Sequence, residues 1–269
     1  MSAADPADAS KREESAPPRG LGGRATTTLV IPVKNDAEML ARCLRSIQAQ
    51  TIAPDEVIVV DNDSTDDSAA VAGCAGATVL SCTVPGIAAA ASHGYDHACG
   101  EIILRIDADC IPSDTWVETV HAAFAAHPHV SAFSGGARFN DGPSWLRAPL
   151  AGLYLLAYAA ATAPALGHLL LFGSNLALTR VAWNDIRDEV HRLDANVHDD
   201  LDLAFHLGRT HAIGYLPSST MGVSSRPFRS PGSLLERVRR GFHTVAIHWP
   251  RDFPPARWRA RATSSCRAN

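Results

Sequence analysis

The sequence is poor in the features that mark several common protein classes. Its net charge of −4 lacks the basic excess expected of a nucleic-acid binder. Its six cysteines (Cys43, Cys74, Cys82, Cys99, Cys110 and Cys266) form no C-x-x-C pair and follow no regular spacing. Most sit among apolar residues, where cysteine behaves as a small buried hydrophobe, so reduced thiols in a cytoplasmic protein are expected. Met1 to Gly23 is polar and rich in Ala, Asp and Pro, without the apolar core of a secretory signal. Residues 1–25 are therefore read as a disordered leader. No internal repeat or coiled-coil heptad is visible.

What is present is an ordinary globular balance, 46% hydrophobic and 19% charged over 269 residues, enough for one long domain or two packed ones. The charge is uneven. From Arg226 onward arginines are frequent and the acids are Glu236 and Asp252 alone. Such a basic tail suits an anionic membrane, a diphosphate or plain solvent.

Apolar strands alternate with helical patterns along the first half. Thr28 to Val33 is β-branched and apolar, with Pro32 near its end. Asp36 stands where it would cap a helix whose apolar face is Leu40, Cys43, Leu44 and Ile47. Val57 to Val60 is a second strand, and Ser64 or Thr65 is placed to cap the helix after it. A third strand covers Ala77 to Leu80, and Pro85-Gly86 opens a helix running to Cys99. Ser113 is expected to cap another helix, Asp114 to Ala126, before a strand at Val130 to Phe133. This alternation predicts an α/β fold with a mostly parallel sheet and helices on both faces. Ala148 to Phe172 has no Asp, Glu, Lys or Arg. Its prolines, glycines and many alanines favour a buried helix over a lipid-contacting surface helix or a membrane span. Gly173 to Leu178 reads as a strand, and His198 to Leu207 as a helix with a strongly acidic start.

The stretch ending Ile106-Asp107-Ala108-Asp109 carries the chemistry. A buried strand closes in two aspartates at its carboxyl end, the edge where open α/β sheets bind ligands. With no basic neighbour inside the turn, the two acids repel unless a cation lies between them, and Mg²⁺ prefers such oxygens together with phosphate. Taken alone, D-x-D is more commonly a surface turn.

Four further stretches change that reading: Val30 to Asn35, Val59 to Asp66, Gly173 to Ala177, and Asp199 to Leu203. In this order the five resemble the inverting glycosyltransferases of family 2, over residues 27–216. The resemblance implies a GT-A fold, a nucleotide-sugar donor carrying UDP or GDP, and a divalent cation, Mn²⁺ or Mg²⁺. It implies that Pro32, Val33, Asn35 and Asn62 line the nucleotide pocket and that Asp61 accepts an N–H from the base. Asp109 would be the direct metal ligand, with Asp107 contacting ribose or a metal-bound water. Asp200 would be the catalytic base and Asp199 its neighbour, whose like charge raises the proton affinity of Asp200. Asp202 is read as support for the helix.

The sequence departs from the family pattern. Ala91 and Ser92 replace an Arg-Asn pair, Asp199 replaces a Glu, and Asp63 stands where Gly is common. The Q-x-x-R-W motif of processive relatives is absent, and Arg239-Arg240-Gly241-Phe242 is a faint echo of it, so a single addition is expected. His243 and His248 are weighed as reaching the diphosphate or metal, with a plain surface role favoured. The departures leave a catalytically inactive, nucleotide-sugar-binding scaffold as the alternative. A nucleotidyltransferase would carry a Gly-rich basic loop after the first strand, and an aspartyl phosphatase would place D-x-D there; neither is found. The organisation expected is a nucleotide-sugar half at 26–135, an acceptor half at 136–225 and a partly disordered basic tail at 226–269. The acceptor is expected to be a sugar or a lipid-linked molecule, and the protein to be cytoplasmic with peripheral association at the inner face of a membrane.

Overall fold

Strand β4 (Ile102–Arg105) is buried at all four positions because it lies at the middle of a seven-stranded sheet. The computed structural model describes residues 23–226, 231–252, 254–255 and 257–258. Most of the expected leader, Cys266 and most of the tail expected after Pro254 fall outside those residues. On one side of β4 lie β1 (Thr27–Val33), β2 (Glu56–Asp61) and β3 (Thr78–Ser81), all parallel. On the other side lie β6 (Leu176–Thr179), β5 (Val130–Phe139) and β7 (Ala212–Val223). β6 runs antiparallel to both its neighbours, so the sheet is mixed although mostly parallel.

The residue-by-residue alternation of a strand explains the two cores. Val30, Ile58, Val60 and Ile103 face a layer that includes α3 (Ile87–His97), α6 (Arg180–Ile186) and α7 (Asp199–Thr210). Leu29, Ile31, Val59 and Leu104 face α1 (Ala37–Gln48) and α4 (Trp116–Ala126). The remaining helices are α2 (Ser68–Cys74), α5 (Ser144–Leu166) and α8 (Pro231–Ile247). The expected division at 135/136 falls inside β5, so the two halves share one sheet.

Several local expectations are corrected. Asp36 occupies the N-cap position of α1 but makes no capping hydrogen bond there, its carboxylate being engaged by Arg226. α2 begins at Ser68, after the proposed caps Ser64 and Thr65, which instead bond to Asn35. α4 begins at Trp116 with Thr115 as its N-cap residue, in place of Ser113. α5 is not a buried helix: Ala151, Thr162 and Leu166 are its buried residues, while Leu150, Leu153 and Leu156 are 46%, 63% and 67% exposed. Part of the supposed tail is the 17-residue helix α8. Cys43, Cys82 and Cys110 are buried and free as expected, whereas Cys74 and Cys99 are free but exposed.

Candidate active site

The carboxyl ends of β1, β2 and β4 open into a groove of about 490 Å³. Pro32 and Val33 end β1 on one wall, Asp107 and Asp109 stand on another, and Pro85, Gly86 and Ile87 at the start of α3 form a third. Gly86 has φ +115°, and a Cβ there would press to 3.3 Å from Ala195 Cα. Glycine thus lets the 187–198 loop close against the start of α3.

Asp61, the last residue of β2, does not itself line the groove but stands next to Asn62, which does; Asp61 Oδ1 is buried and has no hydrogen-bond partner among the described residues. An acceptor withheld from water in this way lacks a donor, and a base N–H would supply one. Asn62 is committed differently. Its amide nitrogen donates to the carbonyls of Cys82 and Val84 at 2.8 and 2.6 Å, and its Oδ1 accepts the Gly86 amide at 3.0 Å. It lines the groove while holding the loop into α3. Asn35 points away, its Oδ1 accepting the Thr65 amide at 2.7 Å, and it does not line the groove. Its φ of 51° and that of Asp63, 59°, are left-handed values that Asn and Asp tolerate, which accounts for Asp63 where Gly is common.

The sequence reading missed the residue that organises the acids. Arg105, the last residue of β4, is 3% exposed, and one of its Nη atoms lies 2.8 Å from Asp107 Oδ1 and 3.1 Å from Asp199 Oδ2. The cation required between the acids therefore comes, for Asp107, from the strand itself. A Cβ on Gly173 would fall 1.3 Å from Arg105 Nη1, so that position must be glycine for the guanidinium to fit. Asp107 also accepts a short hydrogen bond from Ser174 Oγ.

Asp109 keeps less company. Arg226 Nη2 is 3.2 Å from its Oδ2 while also pairing with Asp36. Burial, with the Asp107 charge second, pushes the Asp109 carboxyl up to about 6. A carboxylate raised in this way is short of positive charge, and its oxygens together with those of Asp107 fit a hard divalent cation. Cys110 lies within reach of the same cluster, but burial raises its thiol well above the usual range, so it stays protonated.

The acid pair opens α7, where the helix dipole favours negative charge. Asp200 Oδ2 accepts the Gly173 amide at 2.9 Å, Oδ1 accepts Tyr158 OH at 3.3 Å, and the His198 ring lies against Oδ1 at ion-pair distance. Burial would raise the Asp200 carboxyl, but His198, the Gly173 amide and Arg105 outweigh it and hold it below the usual carboxylate range. Asp199 moves the other way, raised by burial against the pull of Arg105, with the Asp200 charge adding to the rise. The Asp200 carboxyl is thus lowered where the like charge of Asp199 was expected to raise it, because His198 two residues before it, the Gly173 amide and Arg105 act together on it.

Ala91 and Ser92, where the family pattern has Arg-Asn, line a small cavity with Arg105, Arg192, Asp199 and Asp200. Arginines from distant segments line the groove instead: Arg226, Arg237 and Arg240. The crowding of arginines after residue 225 was the signal available for them. His243 does not reach the groove, its Nε2 pairing with Asp194 at 2.7 Å. His248 is 4% exposed, so its favoured reading as a surface residue is wrong. It packs against Asp202, which is itself 3% exposed.

Comparison with known proteins agrees with this geometry. The family model described as "Glycosyl transferase family 2" matches residues 28–182. Among curated proteins, glycosyltransferase AglE of Haloferax volcanii is 31% identical over 99 residues, 34% of this chain and 33% of that protein. The 4,4'-diaponeurosporenoate glycosyltransferase of Staphylococcus aureus is 36% identical over 88 residues, 30% of this chain and 23% of that protein. The match thus spans about a third or less of these relatives. Among solved structures, glucosyl-3-phosphoglycerate synthase from Mycobacterium tuberculosis in complex with uridine diphosphate superposes with a TM-score of 0.59 at 22% identity, covering 82% of this chain and 79% of that one. A second complex of that enzyme holds Mn²⁺, uridine-diphosphate-glucose and phosphoglyceric acid, with a TM-score of 0.56 at 22% identity, covering 82% and 78%. S. aureus TarS superposes with a TM-score of 0.57 at 15% identity, covering 81% and 68%. At these identities the structures establish the fold.

Proposed function

The chain belongs to glycosyl transferase family 2, and from that premise we propose that it is a glycosyltransferase that moves a single sugar from a nucleoside-diphosphate sugar to an acceptor hydroxyl, with inversion and with help from a divalent cation. The observation that carries this reading is the bridge through Arg105. One guanidinium touches both the D-x-D turn and the acid pair, so the donor groove and the proton-accepting carboxylates lie on two sides of one residue.

Asp61 Oδ1 would accept the N–H of the base, a contact that suits uracil and guanine equally. Asp109, with Asp107 beside it, would hold the cation, whose charge offsets that developing on the departing diphosphate. Arg226, Arg237 and Arg240 add fixed positive charge along the same groove. A sugar hydroxyl is a poor nucleophile and must lose its proton. Asp200, aimed by the Gly173 amide, is the group assigned to take it. A carboxylate held below its usual range is a weak base. It accepts the proton as the new glycosidic bond forms, when the attacking oxygen has become acidic.

The acceptor is assigned as lipid-linked, on a membrane surface. α5 exposes Trp145, Leu153 and Leu156, and α8 exposes Leu235, Val238 and Phe242 at helical spacing. The two helices meet where Arg237 Nη1 stands 3.5 Å from Tyr154 OH. Apolar stripes flanked by arginines suit the face of an anionic bilayer. α5 is also long and apolar enough to cross a membrane by length and composition.

The deciding experiment incubates purified protein with a panel of nucleotide sugars, with Mn²⁺ or Mg²⁺, and follows nucleotide release and the anomeric configuration of the product. Donor- and metal-dependent release is expected, and Asp200→Asn should abolish it. A chain that releases no nucleotide from any donor, and that Asp200→Asn leaves unaltered, would instead be an inactive scaffold.

A further inference from the structure

Further along α7 from the acid pair, a second group of ligating side chains converges. His191 comes from the 187–198 loop, Asp202 and His206 from α7, and His248 from just past the end of α8. One ligand atom from each lies within 4.8 Å of every other. Asp202, His206 and His248 are buried, and the His191 side chain is 38% exposed, giving the cluster one open edge.

The spacing is that of a coordination shell. A tetrahedral zinc site with ligands at about 2.0 Å has ligand-to-ligand edges of about 3.3 Å. Here Asp202 Oδ1 is 3.3 Å from His248 Nε2 and 3.5 Å from His206 Nε2, and those two nitrogens are 3.3 Å apart. The fourth ligand, His191 Nδ1, is 2.7 Å from Asp202 Oδ1 and would open by about half an ångström to complete such a shell.

The surrounding hydrogen bonds prepare the ligands. His248 Nδ1 is 2.8 Å from the Thr244 carbonyl, which can only accept, so Nδ1 carries the proton and Nε2 presents a lone pair to the cluster. The His191 amide occupies Asp202 Oδ2 at 2.9 Å and leaves Oδ1 facing the histidines. Asp202 Oδ1 and His248 Nε2 are therefore two acceptors 3.3 Å apart, met in the absence of an ion by His191 Nδ1 at 2.7 Å and His206 Nε2 at 3.3 Å, the two nitrogens whose protons a metal would displace. A cation between them satisfies both. His206 Nδ1 lies 3.3 Å from Arg209 Nη1, which can only donate, and 3.7 Å from Glu189 Oε2, so ligation through Nε2 requires Arg209 to give way to the Glu189 carboxylate as the outer partner.

We propose that His191, Asp202, His206 and His248 form a closed four-ligand site for zinc, separate from the donor groove and structural in purpose. Three imidazoles and one carboxylate suit zinc better than magnesium, which prefers oxygen and retained waters, and four protein ligands leave no open position for chemistry. Two of the three segments joined line the groove, and the third carries the acid pair. The 187–198 loop contributes Ala195, α8 contributes Arg237 and Arg240, and α7 carries Asp199 and Asp200. Zinc here would staple the loop and α8 to the helix that holds the acid pair.

The test measures metal content of the full chain. Protein loaded with Zn²⁺ and then dialysed against Mg²⁺ is expected to retain one zinc per chain. Asp109→Asn should retain it too, because that change touches only the donor-groove cation. His206→Gln and His248→Gln should each lose it, and a chelator should lower the unfolding temperature of the unaltered protein but not of these variants. Co²⁺ in place of zinc should give the intense visible absorption of a tetrahedral site. That measurement needs no variant and stands even where a substitution impairs folding. A chain that retains no zinc, a zinc content unchanged in both histidine variants, or a weak octahedral Co²⁺ spectrum would each overturn the proposal.

Discussion

Arg105 ends the central strand with its guanidinium 3.1 Å from Asp199, a residue 94 positions later in the chain and the first of α7. The same nitrogen is 2.8 Å from Asp107, so one buried cation is shared by two buried or half-buried acids. Removing it would leave Asp199, whose side chain is 19% exposed, without the cation that opposes its burial. Arg105→Met is expected to destabilise the fold by about 3–5 kcal/mol, the range for breaking a buried pair by deleting one partner. Urea unfolding measures this, and a loss under 1 kcal/mol would mean that the acids find other partners.

Gly173→Ala tests the same arrangement without touching a charge. The added methyl would sit 1.3 Å from Arg105 Nη1, so the guanidinium has to move. Destabilisation comparable to that of Arg105→Met is expected, and the double variant should cost little more than either single one, since both remove one interaction. Full additivity would show that the two positions act separately.

The raised carboxyl of Asp109 sets a pH limit on cation binding. With its pKa at about 6, Asp109 is protonated below that pH and ionised above it, so protons compete with the divalent ion as pH falls through 6. Mn²⁺ affinity should therefore weaken by roughly tenfold per pH unit below about 6 and level off above about 7. Titration calorimetry across this range checks it, with Asp109→Asn expected to abolish the dependence.

His198 is expected to govern the acidic limb of the rate profile. It is among the groups that hold Asp200 below the usual carboxylate range, in opposition to burial. In His198→Gln burial gains the upper hand, the Asp200 pKa rises, and the base becomes protonated at a higher pH. The acidic limb of kcat/KM should move upward in pH, while Asp200→Asn should cost about 10²–10⁴-fold on the plateau above that limb. An unmoved limb would remove either Asp200 as the base or His198 as its control.

Membrane contact through α5 is open to direct test. Leu153 and Leu156 are 63% and 67% exposed. Glutamate at both positions should weaken binding to vesicles containing anionic phosphatidylglycerol by tenfold or more, with little change in unfolding temperature. If the unaltered chain stays in solution beside such vesicles and glycosylates a hydrophilic acceptor equally well, the lipid-linked acceptor is excluded.

The order of elements as far as β5 was legible from apolar periods, although the caps read for α1, α2 and α4 do not form and neither β7 nor α8 was foreseen. Val30, Ile58 and Ile103 are hydrophobic for reasons that local pattern shows directly. The acids of the site were legible because they cluster at strand and helix ends. What governs them was hidden, since Arg105 sits in a strand where a lone charge among isoleucines looks like an interruption. Its two partners come from a turn and from a helix far along the chain. Tyr158 meets Asp200 through tertiary packing, which no spacing encodes, whereas His198 meets it locally from the N-cap two residues before. α5 misled for a different reason: a helix apolar all round is expected to be buried, and this one exposes a face instead.

β6, from the later part of the chain, stands between β4 and β5 of the earlier part. During synthesis the two earlier strands cannot join, because the strand that links them has not yet been made. A ribosome-bound chain stopped near residue 140 would hold four contiguous strands ending at β4, a β5 with no β6 to join it to them, and an Arg105 with no Asp199 to meet. The D-x-D turn therefore takes its final shape late, after α7 has emerged. A truncation at the apparent boundary near residue 135 is expected to yield an aggregating fragment in place of a nucleotide-binding half.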